Sequence, residues 1–157
     1  MKGSVFLSNL KQAGDVIKAV VSINNTLVQI TRKYETELGL TFLQLAIVNT
    51  ISFHQGGTLK QVSEQLSLSK STASTQVDQL VTKGMIRREN SKTDRRETLL
   101  SLTEQGTEAA KKSIMILPFY QATTEQLATK DPEDVQTLID TLEQLLEQLQ
   151  DLKGENK

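Results

Sequence analysis

The sequence predicts a mainly α-helical fold that contains one small β-hairpin. Apolar residues recur along most of the chain at the three- and four-residue spacing of amphipathic helices. One short stretch, ETLLSLT, instead alternates polar and apolar residues, as a half-buried strand does. With 157 residues, two prolines and eight glycines, the chain fits one compact domain with additional helices for assembly.

Two helices are predicted first. One extends from about Asn9 to Leu38 and ends at Gly39, because the apolar residues there form a single stripe. The stripe consists of Val16, Val20, Ile23, Leu27, Ile30 and Tyr34. The other helix begins at the capping-box pair Thr41 and Gln44, and the segment Phe42–Phe53 is apolar on most sides, which indicates a buried helix.

The next two predicted helices are short, and a three-residue turn joins them. The first begins at a second capping box, Thr58 and Gln61. The second has Ser69 as its N-cap, continues to about Lys83 and ends at Gly84. Its predicted inner face is Ala73, Val77, Leu80 and Val81. Because of helical geometry, the side chains on the opposite face then point outward, and these are Ser71, Thr72, Thr75, Gln79 and Thr82. Two such helices predict a helix-turn-helix.

A hairpin and further helices complete the predicted order. MIRREN and ETLLSLT are the strands, and SKTDRR is the hairpin tip. The residues expected to share one face of the second strand are Thr98, Leu100 and Leu102. Thr103 caps a helix that Pro118 should kink or split, and Asp131 with Pro132 begins the last helix. The apolar face of that helix consists of Val135, Leu138, Ile139, Leu142, Leu145, Leu146, Leu149 and Leu152.

Composition excludes several classes of function. The chain has no cysteine and one histidine, so neither a thiol redox switch nor a thiolate or imidazole metal site is predicted. No nucleophile–base arrangement, glycine-rich phosphate loop or carboxylate pair stands out, so we expect neither an enzyme nor a cofactor. The N-terminus lacks a signal-peptide pattern, and no apolar run approaches the roughly 20 residues that span a bilayer, which predicts a cytoplasmic protein.

The charge distribution is uneven, although the formal net charge is only −1. Between Lys60 and Arg96 there are eight basic and four acidic residues, whereas Glu125 to Lys157 contains nine acidic and three basic ones. A basic middle and an acidic tail indicate different partners for different surfaces. A basic hairpin alone is often only a solvated turn, and the SKSTAST run alone is often only a capped helix start.

The segment LSLSKSTASTQVDQLVTKGMIRRENSKTDRRETLLSLTEQG, residues 66–106, resembles the MarR family (multiple-antibiotic-resistance regulators). The matching elements are the wing-tip sequence Asp94-Arg95-Arg96 and the following Leu102-Thr103-Glu104-Gln105-Gly106. The resemblance implies a winged helix-turn-helix DNA-binding domain at residues 41–106. It also implies that residues 1–40 and 107–157 form a helical dimerisation region.

The resemblance also implies which residues meet double-stranded DNA. The recognition-helix candidates are Ser69, Lys70, Ser71, Thr72, Ser74, Thr75, Gln76 and Gln79. The wing candidates are Arg88, Lys92, Asp94, Arg95 and Arg96. Arg96 is expected in the minor groove, and Asp94 is expected to hold the wing tip in shape. Family members often carry arginines at the positions of Thr75 and Gln79, which leaves the base preference of this chain open.

Partners follow from the same comparison. The apolar first and last helices favour a two-fold homodimer, whose recognition helices lie about one DNA turn apart and therefore require a palindromic operator. We expect a repressor, with a possible small-molecule effector between the two regions. The residues expected to border an effector pocket are Phe42, Phe53, His54, Phe119 and Tyr120, although such aromatic residues more often belong to a core. The alternative function is a protein-interaction module that has lost DNA binding, because the recognition helix is poor in arginine and the tail is acidic.

Overall fold

A computed structural model describes residues 2–90 and 97–154 of the chain. The helices in that part are α1 Lys2–Leu38, α2 Phe42–Phe53, α3 Leu59–Gln65, α4 Lys70–Thr82, α5 Glu104–Ile116, α6 Pro118–Leu127 and α7 Pro132–Gly154. The strands are β1 Gly57–Thr58, β2 Ile86–Asn90 and β3 Thr98–Leu102. The predicted mainly α fold with a β-hairpin wing beside a helix-turn-helix is therefore confirmed. Helix α1 begins earlier than the predicted Asn9.

Side-chain caps begin the central helices, as predicted. Thr41 Oγ1 accepts a hydrogen bond from the Gln44 backbone N–H (3.3 Å), and Gln44 Oε1 accepts one from the Thr41 N–H (3.4 Å). Thr58 and Gln61 make the same reciprocal pair at 3.1 and 2.8 Å. Each box satisfies backbone donors that a helix leaves unpaired at its N-terminus. The starts of α2 and α3 are therefore fixed by local chemistry.

The core lies around α2, which contacts α1, α3, α4, α5 and β3. Leu45, Ile47, Val48 and Ile51 of this helix are at most 2% exposed. Burial at this level removes most of the apolar surface of these side chains from water, which stabilises the fold by roughly 1.5–3 kcal/mol for each side chain. Phe53, the last residue of α2, is 67% exposed, so its expected place in the core is wrong.

Helix α4 presents a narrower apolar face to this core than the sequence indicated. Ala73, Val77 and Leu80 have no exposed surface, but Val81 is 38% exposed. Consecutive helical residues are turned by about 100°, so Val81 lies at the rim when Leu80 points directly inward. The prediction that Val81 belongs to the inner face is wrong for this reason.

The sheet has three antiparallel strands in the order β1-β3-β2. β3 is central and places Leu100 opposite Gly57 on one side and opposite Arg88 on the other. Leu100 is 2% exposed and Leu99 is 40% exposed, which confirms the predicted alternation along β3. Strand β1 was not predicted, because two residues are too few to show any periodicity.

Helices α4 and α5 end, and α7 begins, at the positions predicted from the sequence. Gly84 ends the α4 segment with φ +71°, a left-handed conformation that glycine adopts without strain. Pro118 separates α5 from α6, because it lacks the N–H that would continue the helix and is suited to a first helical position. Asp131 Oδ1 accepts a hydrogen bond from the Glu133 N–H (3.0 Å) and so caps α7. All three predictions are confirmed.

Helices α1 and α7 leave large apolar side chains exposed. In α1 these include Leu10, Val16, Ile17, Val20, Val21 and Ile23. In α7 they are Leu138, Ile139, Leu142, Leu146, Leu149 and Leu152. Within residues 2–90 and 97–154, no single helix is long and apolar enough to cross a membrane. α1 and α2 reach that threshold only when taken together, and they meet at 80°.

Candidate nucleic-acid interface

Helix α4 exposes a row of hydroxyl and amide side chains. Ser71, Thr72, Thr75, Gln79 and Thr82 are all exposed, because the opposite side of the helix is buried against the core. This orientation is the predicted one. Ser74 and Gln76, also recognition-helix candidates, are half-buried at the flanks of the row. Short polar side chains let a helix approach a DNA groove closely and bond to phosphates or base edges.

The N-terminus of α4 carries a compact group of hydroxyls. Ser69 Oγ accepts a hydrogen bond from the Thr72 backbone N–H at 3.1 Å, which confirms the predicted N-cap. The same Oγ lies 3.0 Å from Ser71 Oγ and 2.7 Å from Thr72 Oγ1. Lys70, the first helical residue, is exposed beside this group. Backbone N–H groups, hydroxyls and an ammonium at one helix end suit a phosphate oxygen.

Arg88 ties the base of the wing to α4. Its Nη1 lies 2.5 Å from Asp78 Oδ1. Arg88 can reach this carboxylate because it lies opposite the buried Leu100 and thus on the face of the sheet that packs on the helices. Arg87, the preceding residue, points to the opposite face and is exposed. Arg88 is the one wing candidate for which the structure describes a position.

The remaining wing candidates are Lys92, Asp94, Arg95 and Arg96. They lie outside the described residues. Their predicted roles, including that of Arg96 in the minor groove, therefore stay predictions from the sequence.

A chain of hydrogen bonds that the sequence did not reveal lies along the other edge of α4. Lys83 Nζ donates to the Gly39 carbonyl (2.6 Å) and to Gln44 Oε1 (2.9 Å). Gln44 Nε2 in turn donates to Gln79 Oε1 (2.9 Å). Gln44 is only 3% exposed, although it lies next to Gln79, an exposed recognition-helix candidate. The sequence showed Gln44 only as half of a capping box.

The Leu-Thr-x-x-Gly sequence joins the sheet to α5. The Thr103 N–H donates to the Met85 carbonyl (3.0 Å), and Thr103 Oγ1 donates to the Gly84 carbonyl (2.6 Å). The same Oγ1 accepts from the Gly106 N–H (3.0 Å) and caps α5. A Cβ on Gly106 would lie 2.0 Å from the Met85 carbonyl oxygen, so only glycine fits without a backbone shift. This part of the sequence therefore fixes the wing against α5.

The five residues expected to border an effector pocket are not gathered at one place. Phe42 and Phe53 lie at opposite ends of α2, roughly 16 Å apart along its axis. His54 is exposed, and its Nε2 lies 3.1 Å from Gln65 Nε2. Phe119 and Tyr120 are neighbours in α6, with ring centroids 4.6 Å apart. Phe53 and His54 are also neighbours, at the C-terminal end of α2.

Tyr120 belongs to a buried polar group that connects α2, α5 and α6. Asn49 Nδ2 donates to Tyr120 Oη (2.6 Å), and Ser113 Oγ lies 3.3 Å from both amide atoms of Asn49. Ser113 Oγ also donates to the Ala110 carbonyl at 2.7 Å. Burial raises the pKa of the Tyr120 phenol, and the bond from Asn49 lowers it in part.

A mostly apolar groove lies between α1 and α6, next to this group. It measures about 410 Å³. Its lining includes Ile23, Thr26, Leu27 and Ile30 of α1 and Phe119 of α6. Among the described residues, no group of three or more histidine, aspartate or glutamate side chains is placed to hold a metal ion.

Comparisons with known proteins agree with this architecture. The model of the MarR family matches residues 38–97 of the chain. The organic hydroperoxide resistance transcriptional regulator of Bacillus subtilis (strain 168) is 30% identical over 124 residues, which cover 77% of this chain and 82% of that regulator.

Solved structures show the same fold. A mutant of MarR from E. coli complexed with operator DNA is 21% identical, with a TM-score of 0.65 over 84% of this chain and 94% of the other. A MarR protein from Peptoclostridium difficile is 19% identical, with a TM-score of 0.72 over 91% of this chain and 92% of the other. The relative from B. subtilis and the match to the family model establish that the chain belongs to the MarR family of transcriptional regulators.

Proposed function

We propose that this chain is a dimeric, sequence-specific DNA-binding regulator that represses transcription from a palindromic operator. The observation that carries the proposal is the outer face of α4, where hydroxyl and amide side chains are exposed while Ala73, Val77 and Leu80 on the opposite side are completely buried. Such a helix can enter a major groove without losing its packing on the core. Residues 41–106 form the proposed DNA-binding domain.

The wing supplies the positive charge. Arg88, Lys92, Arg95 and Arg96 are proposed to contact the backbone and the adjacent minor groove, where a narrow groove concentrates negative potential. At the other end of the interface, Lys70 and the Ser69 hydroxyl group are proposed to hold a phosphate at the N-terminus of α4. The two contacts would fix the register of α4 between them.

Dimerisation is proposed through residues 1–40 and 107–157. The exposed apolar side chains of α1 and α7 support it, because a second copy of the chain would remove them from water at about 25 cal/mol per Å². A two-fold dimer would place two α4 helices roughly 34 Å apart, so the operator would contain two inverted half-sites. Bound over a promoter, such a dimer blocks polymerase without further contacts.

An effector is proposed to act without thiol chemistry. The relative from B. subtilis is named for organic hydroperoxide resistance. This chain contains no cysteine, so any response to hydroperoxide cannot proceed through a sulfenic acid or a disulfide. The groove between α1 and α6, bordered by Phe119, is the proposed place for a small apolar ligand. Such a ligand would release DNA by favouring a different spacing of the two α4 helices.

Fluorescence anisotropy with duplexes from upstream of the gene tests the proposal. Affinity should depend on the palindrome, fall as salt rises and fall with Arg96→Ala, because phosphate contacts release counterions. Lys130→Ala, between α6 and α7, is the control and should change nothing. A folded dimer whose binding ignores salt, or that binds no duplex even after selection from random sequences, would instead favour the protein-interaction module.

A further inference from the structure

We propose that Gln79 reads the major groove only as a hydrogen-bond donor, and that Lys83 fixes this direction through Gln44. The inference rests on the proposed DNA-binding function and specifies what one residue of α4 recognises. A free glutamine offers both a donor and an acceptor, which is the pair that recognises adenine. In this chain one lone pair of the Gln79 oxygen already accepts from Gln44 Nε2, which turns this oxygen toward α2 and leaves the NH2 group as the part of the amide that can face a base.

Lys83 sets which atoms donate and which accept along this chain of hydrogen bonds. An ammonium group has three donors and no acceptor, so the Gln44 atom that lies 2.9 Å from Lys83 Nζ must be the amide oxygen. The Thr41 backbone N–H, also a pure donor, faces the same Gln44 oxygen at 3.4 Å. The Gly39 carbonyl holds Lys83 Nζ in place at 2.6 Å. Two donors therefore determine the orientation of the buried Gln44 amide.

The orientation of the Gln44 amide in turn determines the orientation of the Gln79 amide in α4. With its oxygen facing Lys83, its Nε2 faces Gln79 at 2.9 Å and can only donate. Gln79 must therefore accept through Oε1, which leaves its NH2 group for other partners. Reversing the Gln79 amide would bring two NH2 groups together and lose the bond, and reversing Gln44 would turn an NH2 group toward the ammonium.

The free NH2 group of Gln79 lies where a base edge would be read. Gln79 is exposed on α4. It lines a hollow of about 460 Å³ beside α4, together with Gln44 of α2 and with Thr75, Asp78, Thr82 and Lys83. In the major groove, guanine presents two acceptors side by side, whereas adenine presents one acceptor and one donor. A donor-only side chain therefore favours guanine and loses the bidentate pair with adenine.

Selection from random duplexes, followed by anisotropy on the selected site and its single-base variants, tests the inference. Gln79→Ala should remove the preference at one base pair of each half-site and thereby identify the position that Gln79 reads. At that position the unchanged protein should prefer guanine to adenine on the order of tenfold.

Gln44→Glu is the decisive variant, because it keeps the shape of the side chain and reverses the direction of the hydrogen bond between the side chains at positions 44 and 79. The introduced carboxylate still accepts from Lys83 and from the Thr41 N–H, but it has no donor for Gln79. Gln79 must then donate its NH2 group inward and expose its oxygen. The preference at the same base pair should move from guanine to a base with an exocyclic donor, cytosine or adenine, with a change of at least several-fold.

Lys83 variants separate a positioning residue from a phosphate contact. Lys83→Met should reduce the preference for guanine over adenine and leave the salt dependence of binding unchanged, whereas Lys83→Arg should retain both. Loss of a phosphate contact would instead reduce the salt slope by about 1 and weaken binding to all sequences equally. Circular dichroism and sedimentation confirm that each variant remains a folded dimer, and Gln44→Glu provides an independent result if Lys83→Met does not fold.

The outcomes distinguish this inference from the proposed function. If the unchanged protein binds no duplex, the proposed function fails and the inference fails with it. If it selects a defined site but Gln44→Glu leaves every base preference unchanged, the inference alone is overturned. A smaller salt slope in Lys83→Met with unchanged base preference would also overturn it, because Lys83 would then be a phosphate contact.

Discussion

Arg88 in β2 donates a hydrogen bond to Asp78 in α4, so the wing and the proposed recognition helix share an ion pair. The two side chains are 32% and 59% exposed, and a pair this accessible to water contributes only about 0.2–1 kcal/mol to stability. Its consequence is electrostatic. Asp78 is exposed on α4, where a free carboxylate would repel phosphates, and Arg88 offsets its charge.

This pairing predicts an asymmetry between two substitutions. Arg88→Ala should weaken binding to all duplexes about tenfold or more, because it removes a cation and also uncovers the Asp78 carboxylate. The double variant Asp78→Ala/Arg88→Ala should bind better than Arg88→Ala alone. Anisotropy at low salt measures both, and Arg87→Ala, on the opposite face of β2, is the matched control. Equal affinities of the double and single variants would contradict the pairing.

The close approach of Gly106 to Met85 predicts a stability difference between two glycines. Gly106→Ala should destabilise the protein by about 1–3 kcal/mol, because the new Cβ would meet the Met85 carbonyl, which also accepts from Thr103. Gly14→Ala should instead stabilise it by about 0.5–1 kcal/mol, since alanine favours helix α1 and, apart from the backbone of that helix, no described residue would lie within 4 Å of the new Cβ. Urea unfolding at one fixed protein concentration measures both, and similar effects at the two glycines would contradict the argument.

The sequence predicted those parts of the fold that depend on neighbouring residues. Thr41, Thr58 and Ser69 were identified as caps because each bonds only three residues ahead, and Pro118 as a break because it lacks an N–H. Strand β1 was missed because its two residues are a strand only through pairing with β3, about forty residues later in the chain. The exposure of Phe53 likewise depends on what the end of α2 meets, which periodicity does not describe.

For the candidate site, too, the sequence predicted what neighbouring residues decide and missed what distant residues decide. Helical spacing alone correctly turned Thr75 and Gln79 outward, because it needs no knowledge of other elements. The partners of Gln79 and Asp78 were not predicted. Gln44 lies 35 residues before Gln79 in the chain, and Arg88 lies 10 residues after Asp78. Charged and amide side chains can pair in many ways, and only the packing of α2 and β2 against α4 selects these.

The buried group around Asn49 predicts a loss of stability that depends on which partner is removed. Tyr120→Phe should cost about 0.5–1.5 kcal/mol, because Asn49 keeps its contact with Ser113. Asn49→Ala should cost more, about 2–4 kcal/mol, because it leaves the hydroxyls of Ser113 and Tyr120 without their amide partner and opens a cavity. Urea unfolding measures both at equal protein concentration. Tyr34→Phe, at the other tyrosine of the chain, controls for hydroxyl removal, and an Asn49→Ala effect no larger than that of Tyr120→Phe would count against the group.

Tyr120 also predicts how stability falls at high pH. Burial raises the pKa of its phenol above the ordinary 10.0, so the folded state favours the neutral form. The contribution of this group is fully present below pH 10.0 and is lost as the pH rises from there through the folded pKa, since the unfolded chain ionises first. Lysines also titrate in this range, so the informative quantity is the difference from Tyr120→Phe. Urea unfolding at about pH 9 and about pH 11 should show a larger loss in the unchanged protein than in Tyr120→Phe. Parallel losses in the two proteins would mean that the Tyr120 phenol is no harder to ionise in the folded state than in the unfolded chain.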